Sequence, residues 1–304
     1  YAAATSAWVI YAAAFSREDA LTLIMTFFAL MLVLTFLLIG PSPDSDKKRV
    51  SLPDWLFAGL SILTGAYFVS QADMIAQRIT LLDPLSTYDV AFASIILFLA
   101  IEAVRRTVGM GLTAIVIVFL AYNLFGDRLG GVLGHGEISY EHFLDITVFT
   151  TDGLFGVPLR VAATYAFLFV LFGTALSKAG GAQFFYDLAA YLTGQTPGGP
   201  AKIAVISSGL YGTISGSPTS DVVTTGSVTI PMMKKMGYRG TFAAAVEVAS
   251  STGGSLLPPV MGAAAFIMAE YTGIPYRDIA LAAIIPAILF YLPIYLQVHL
   301  FFLS

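Results

Sequence analysis

Residues 201–235 read AKIAVISSGLYGTISGSPTSDVVTTGSVTIPMMKK, and residues 241–270 read TFAAAVEVASSTGGSLLPPVMGAAAFIMAE. Crossing a hydrocarbon core of about 30 Å takes about 20 helical residues. The apolar stretches 201–214 and 222–233 are each too short for that, and Ser215-Gly216-Ser217-Pro218-Thr219-Ser220-Asp221 joins them. Lys202 marks one outer end and Lys234-Lys235 the other. Equal charge at both ends predicts a segment that enters and leaves on one face, a re-entrant hairpin with the Ser/Gly/Pro turn at its tip. The second stretch predicts one span broken at Gly253-Gly254-Ser255-Leu256-Leu257-Pro258-Pro259. An unpaired backbone group costs several kcal/mol in hydrocarbon, so irregular backbone at membrane depth persists only beside protein or a wet cavity. Half-helix ends aimed at such cavities are how secondary transporters hold anions and small cations. A bland alternative stands beside this: glycine and proline providing a packed kink, with Asp221 and the turn hydroxyls capping the next helix.

Composition sets the environment. The 304 residues are 57% hydrophobic and 11% charged, against about 45–50% and about 25% in soluble domains, and the mean hydropathy is +0.82. The expected fold is an all-α polytopic membrane protein in the lipid bilayer. A net charge of −4 and one short basic run, Lys47-Lys48-Arg49, leave no nucleic-acid footprint. The absence of Cys removes thiol nucleophiles and Cys-type zinc sites, and His135, His142 and His299 lack metal-ligand spacing. A start at Tyr1 and an uncharged stretch after Asp278 suggest a fragment trimmed at both ends.

Seven spans are expected at Tyr1–Phe15, Ala20–Ile39, Asp54–Ser70, Asp89–Val104, Met110–Phe125, Gly156–Ser177 and 278–303, the last kinked at Pro286 and Pro293. Residues 182–195 read as an amphipathic interfacial helix. With the hairpin in place and the Lys47-Lys48-Arg49 loop inside, the inner side also takes Arg105, Arg106, Lys178, Lys202, Lys234, Lys235 and Arg239. Arg17, Arg78, Arg128, Arg160 and Arg277 fall outside. That two-to-one basic bias supports the topology. Glu18, Asp19, Asp73, Asp83, Asp127, Glu137, Glu141 and Asp145 then gather on the outer side, as a docking face for a partner or as plain solvated loops.

Glu247, just before the break, is expected near membrane depth, where a carboxylate is expensive and partnered or functional. Glu102 is expected to pair with Arg105 or Arg106 at helical spacing. No enzyme is expected: Ser207, Ser208 and the tip serines have no His placed to act as base, and Gly198-Gly199-Pro200-Ala201-Lys202 lacks the spacing of a phosphate loop.

The run from Gly209 through Arg239, followed by AAAVEVASSTGGSLLPPVMGAAAFIMAEYTGIPY to Tyr276, resembles the membrane component of tripartite ATP-independent periplasmic (TRAP) transporters, of the fused type serving TAXI-class binding proteins. Supporting matches lie at Gly153–Pro158, Phe172-Gly173 to Gly180-Gly181, and Gly199–Lys202. The resemblance implies a small-subunit-like (Q-type) region at 1–107, and at 108–304 the first half of the large (M-type) transport region. The second half of the family's inverted repeat lies outside this sequence. It further implies an elevator-type secondary active symporter in a bacterial inner membrane, importing a small organic acid handed over by a periplasmic substrate-binding protein. The family's sodium site maps onto Ser215, Gly216, Ser217, Gly254, Leu257 and Pro258, the last two through backbone oxygen, and Ser217, Thr219, Ser220 and Pro259 are candidates for substrate contact. Where relatives often carry Asn, this sequence has Asp221, so a proton on Asp221 stands as the alternative to sodium, with Glu247 a further coupling candidate. The rival reading is a channel-like or scaffold protein with a static pore.

Overall fold

The structure is a computed structural model, and it describes residues 1–15, 19–42 and 50–303. The described residues are mostly helical and fall into two compact units, Tyr1–Ala163 and Thr164–Ser304. Arg17, Glu18 and the Lys47-Lys48-Arg49 loop, on which part of the orientation argument rests, lie outside the described residues.

In the first unit the helices are α1 (Ala2–Phe15), α2 (Ala20–Leu38), α3 (Leu52–Ser70), α4 (Ala72–Gln77), α5 (Thr87–Thr107), α6 (Met110–Phe125), α7 (Tyr140–Val148) and α8 (Val157–Val161). The starts of α3 and α5 follow from capping boxes. Ser51 and Asp54, and likewise Ser86 and Asp89, satisfy the backbone donors that a helix start leaves without partners. Small and hydroxyl side chains on α3 (Ala58, Ser61, Thr64, Gly65) are buried where α2 packs closely. The Ser61 and Thr64 hydroxyls donate back to the carbonyls of Phe57 and Leu60 at 2.7 and 2.8 Å, so no polar group is left bare.

α5 closes on a charge network. Glu102 accepts from both Arg105 and Arg106 at 2.7 Å, as its spacing predicts. Arg106 also reaches across to Asp54 at 2.6 Å and to the carbonyl of Ile39 at 3.0 Å. The sequence reading missed α7, which lies inside what read as an outer loop. Ser139 caps it, and Phe143, Leu144 and Val148 form its buried stripe. Asp145 belongs to that buried face: it pairs with Arg78 at 3.0 Å and accepts the Leu81 N–H at 2.7 Å. Asp145 is therefore no docking residue, whereas Glu137 and Glu141 are exposed.

The second unit contains α9 (Phe167–Lys178), α10 (Gly181–Thr193), α11 (Gly199–Ser215), α12 (Pro218–Thr224), α13 (Gly226–Lys235), α14 (Gly240–Gly254), α15 (Ala263–Thr272) and α16 (Tyr276–Phe301). A π-turn, Ala162–Ala166, precedes α9. α11 and α12–α13 form the expected hairpin, and α14 and α15 are the two parts of the broken span. The hairpin arms are longer than the half-length stretches expected, and the turn is tighter, confined to Gly216 and Ser217. At the hairpin base Ala201, Ala204, Val205 and Met233 share one buried cluster with Ala243, Val246 and Val298, so α14 and α16 pack against both arms. α16 runs without interruption through Pro286 and Pro293.

Among the described residues six helical stretches are long and apolar enough to cross a membrane: Ala20–Leu38, Leu52–Ser70, Thr87–Thr107, Met110–Arg128, Val157–Lys178 and Tyr276–Phe301. The seventh candidate, at the start of the chain, is the shorter apolar helix α1.

Candidate functional site

The hairpin tip and the break in the α14–α15 span meet. The Val260 N–H donates to the Thr213 carbonyl at 3.0 Å. Gly216, with φ 59°, turns the chain in the left-handed region directly against the Met261 carbonyl, where any Cβ would collide. Deeper in the seam Gly212 of α11 faces Gly254 of α14. A Cβ on Gly254 would lie 2.8 Å from the Gly212 Cα and 2.9 Å from Asp221 Oδ2. The close backbone approach expected of Gly254 is thus present, with Gly212 as its counterpart.

Pro258 and Pro259 cannot donate to the carbonyls four residues upstream, but those carbonyls are answered locally. Gly254 O accepts the Leu257 N–H at 3.2 Å, and Ser255 O accepts the Gly262 N–H at 2.8 Å. The break is held from α16 as well. The single hydroxyl hydrogen of Tyr276 is shared between the carbonyls of Pro259 and Val260, and the Tyr291 hydroxyl donates to Ser250 O at 2.6 Å.

Asp221 sits in the first turns of α12, not in the turn itself, and is fully buried. Its Oδ1 accepts the Ser215 hydroxyl, whose oxygen in turn accepts the Ser217 N–H at 3.1 Å. Its Oδ2 has no hydrogen-bond partner; among the described residues it is the one buried side-chain polar atom in that condition. Neither capping candidate caps α12: Ser217 occupies the N-cap position but makes no side-chain cap bond, and the Asp221 carboxylate accepts the Ser215 hydroxyl instead of a backbone N–H.

Glu247 is equally buried but fully answered. Ser208 of α11 and Thr225 donate to Oε1 at 2.7 and 2.5 Å, Thr229 of α13 donates to Oε2 at 2.5 Å, and Ser251 lies 3.3 Å from Oε1. Sequence reading placed Glu247 at depth but missed this cage. The signal was available: Thr225 and Thr229 are one helical turn apart, as are Glu247 and Ser251.

The other expected site residues divide by exposure. Ser215, Gly216 and Ser217 are half-buried at the tip, and Pro258 is half-buried in the break. Thr219, Ser220 and Pro259 are exposed. Leu257 turns its side chain into an apolar cavity of about 340 Å³ between α11, the break and α16, which Leu210, Ile288 and Tyr291 also line. Lys202, expected to mark an outer end of the hairpin, is at its base. It is no solvated flank but is buried there, its Nζ 2.8 Å from His299 Nδ1 and 3.2 Å from the Thr196 hydroxyl, over the Tyr295 ring.

Among the described residues no cluster of three or more His, Cys, Asp or Glu could hold a metal ion. What this seam offers is hydroxyls, backbone carbonyls and one free carboxylate oxygen. These hard oxygen donors suit a small alkali cation or a proton.

Comparison with known proteins gives no match among solved structures. Among curated proteins, the uncharacterized protein YgiK of Salmonella typhimurium is 35% identical over 91 residues, 30% of this chain and 21% of that one. The isethionate TRAP transporter permease protein DctMQ of Oleidesulfovibrio alaskensis is 26% identical over 186 residues, 61% of this chain and 26% of that one. The C4-dicarboxylate TRAP transporter large permease protein DctM of Pseudomonas aeruginosa is 28% identical over 153 residues, 48% of this chain and 35% of that one. The chain thus spans about a fifth to a third of the length of these relatives. Residues 95–302, comprising most of the chain and the entire hairpin and broken span, match the family of the tripartite ATP-independent periplasmic transporter DctM component, and the chain belongs to that family.

Proposed function

We propose that this chain is part of the membrane subunit of a secondary active TRAP transporter that imports a small organic anion, a carboxylate or a similar acid, handed over by a periplasmic TAXI-type binding protein. The relatives named for C4-dicarboxylate and isethionate transport support the substrate class. In this reading residues 1–107 act as the small-subunit-like region and 108–304 as the first half of the transport region in a bacterial inner membrane. The exposed Glu137 and Glu141 belong to the face that receives the binding protein.

The single observation that carries the coupling mechanism is the buried, unpartnered Asp221 Oδ2 at the seam of hairpin tip and broken span. A carboxylate oxygen left without a partner in a dry interior costs several kcal/mol, a cost that a bound cation or proton removes. The coupling cation therefore binds at Asp221, with the Ser215 and Ser217 oxygens and the backbone oxygens of Gly254, Leu257 and Pro258 as the hard donors that would complete a sodium shell. Loading neutralises the carboxylate and lets the tip and the broken span move as one body in an elevator step. In this reading the exposed Thr219 and Ser220 of α12, the half-buried Ser217 of the tip and the exposed Pro259 of the break contact the substrate.

The test is uptake by the full-length permease with its binding protein in proteoliposomes, under an imposed sodium gradient or an imposed proton gradient. Uptake is expected to follow one of the two gradients and to lose that response in Asp221→Asn. Flux without any gradient or binding protein would favour a static pore instead.

A further inference from the structure

The second unit buries two carboxylates, and their surroundings differ. Asp221 has one hydroxyl partner and one bare oxygen. Glu247 has hydroxyl oxygens from Ser208, Thr225, Thr229 and Ser251 within 3.3 Å. Those four residues are themselves buried. Together they come from α11, the α12–α13 junction, α13 and α14. An ionised carboxylate accepts about four hydrogen bonds and donates none, so four hydroxyl hydrogens match the charged form without a water molecule.

The backbone carbonyls that compete for these hydroxyls do not need them. Asp221 O already accepts the Thr225 N–H at 2.8 Å, and Thr225 O accepts the Thr229 N–H at 2.9 Å. Thr225 also connects the two acids, its hydroxyl lying 2.7 Å from Asp221 O and 2.5 Å from Glu247 Oε1. The two carboxylates meet α11 at Gly212 and at Ser208, positions about one helical turn apart.

No cation answers either acid among the described residues. The titratable groups facing Glu247 are Asp221 from α12 and Tyr291 from α16. Lys202 on α11 and Lys234 on α13 lie about one and a half turns along their helices from Ser208 and Thr229, and Lys202 is turned to His299.

We propose that Glu247 is the fixed anion of the transport core: a carboxylate whose hydroxyl cage matches its charged form, and whose field raises the affinity of the bare Asp221 oxygen for the coupling cation. It is a positioning residue and touches neither cation nor substrate. The proposal rests on the reading of Asp221 as the coupling site. Two anions so close in a low-dielectric interior repel strongly when empty, and one monovalent cation at Asp221 relieves the repulsion and gains the attraction of both. The cage decides which acid takes the cation. Glu247 is already solvated by protein, so the deficit falls on Asp221.

The experiment measures the half-saturating sodium concentration for uptake, with choline as the replacement ion, and the half-saturating proton concentration without sodium. It is run on the full-length permease with its binding protein as wild type, Glu247→Gln and Glu247→Asp. Gln keeps the shape and hydrogen-bonding reach of Glu but not its charge; Asp keeps the charge. Glu247→Gln is expected to raise the half-saturating concentration of the coupling cation on the order of tenfold or more, and Glu247→Asp to stay much closer to wild type. An unchanged value in Glu247→Gln, or equal shifts in both variants, overturns the proposal in favour of a purely structural cage.

Should the Gln variant fail to insert, Thr229→Val removes one donor while leaving the charge in place. Its cation affinity is expected to fall severalfold, because Glu247 then carries part of the deficit that otherwise falls on Asp221, and an affinity equal to wild type overturns the proposal equally. A failure of the Asp221 assignment shows separately, as a cation dependence that survives in Asp221→Asn.

Discussion

The two units bury acidic side chains by opposite means. In residues 1–163 three acids are matched by arginine, Asp54 by Arg106, Asp145 by Arg78, and Glu102 by Arg105 and Arg106, while Asp89 accepts from the Tyr67 hydroxyl and the Ser86 N–H. In residues 164–304 Asp221 and Glu247 meet only hydroxyls, and one oxygen meets nothing. A paired charge fixes structure, because losing either partner strands the other in low dielectric. An unpaired one is tolerated only where something mobile completes it. On the function proposed above, the paired acids of the first unit hold structure and those of the second serve binding.

That contrast is broken most severely at Arg106, whose side chain touches Asp54, Glu102 and the carbonyl of Ile39 and lies over the Phe36 and Phe57 rings. Arg106→Ala is expected to cost about 3–5 kcal/mol, since it leaves the buried Asp54 without a cation. The expected readout is a marked loss of thermal stability in detergent. Asp221→Asn is expected to do the reverse: stability unchanged or raised by up to about 2 kcal/mol, because a bare charge is replaced by a neutral amide, while gradient-driven uptake is lost. If Asp221→Asn melts as far below wild type as Arg106→Ala does, the division into holding and binding acids is wrong.

Gly254→Leu tests the seam itself. Any side chain there must push α14 off Gly212 or displace Asp221, a backbone-against-backbone clash expected to cost about 3 kcal/mol and to abolish transport. Gly254→Ala should show a smaller loss of the same kind. Near-normal uptake by the Leu variant would reduce the break to a packing kink.

Much of this was legible in the sequence, and the reasons are physical. The hairpin and the break stand out because short apolar runs, Pro258-Pro259 and Ser215–Ser217 conflict with a continuous span at membrane depth. The Glu102 pairs follow from helical spacing alone. Long-range partners were not legible: nothing local says that Arg106 reaches back to Asp54, that Lys202 turns inward to His299, or that Gly212 is the other half of the Gly254 contact. α7 was lost because one short amphipathic turn amid polar residues resembles a loop until its buried stripe has something to pack on. Asp145 went astray with it, since composition cannot separate an acid that pairs from one that is solvated.

The outer acids allow a finer version of the same comparison. Replacing Glu137 and Glu141 together is expected to change stability by less than about 0.5 kcal/mol, as is usual for exposed charges, while weakening uptake at limiting concentrations of binding protein. Adding Asp145→Ala should destabilise the protein by several kcal/mol through the stranded Arg78. Unaltered uptake in the double variant would move the docking face elsewhere on the full-length protein.

The smallest expected effect concerns a charge that is neither paired nor stranded. His135 sits in the exposed connection after α6, with Nε2 2.9 Å from the Tyr122 carbonyl and Nδ1 2.7 Å from the Gly136 carbonyl. Both partners only accept, so both ring nitrogens can donate only in the imidazolium form. The Tyr122 and Gly136 carbonyls, in that order, hold the histidine above its ordinary value. A group whose folded value is raised contributes its full stabilisation below the unfolded value, near 6.5, and loses it as pH rises through the folded one. Hydrogen-exchange protection of residues 126–136 should therefore be greatest in mild acid and fall as pH climbs above about 6.5, after correction for intrinsic exchange. His135→Gln, which has no titrating ring, should flatten that profile. A wild-type connection whose protection does not change with pH would mean that the histidine stays neutral, leaving one ring nitrogen facing a carbonyl with no hydrogen between them.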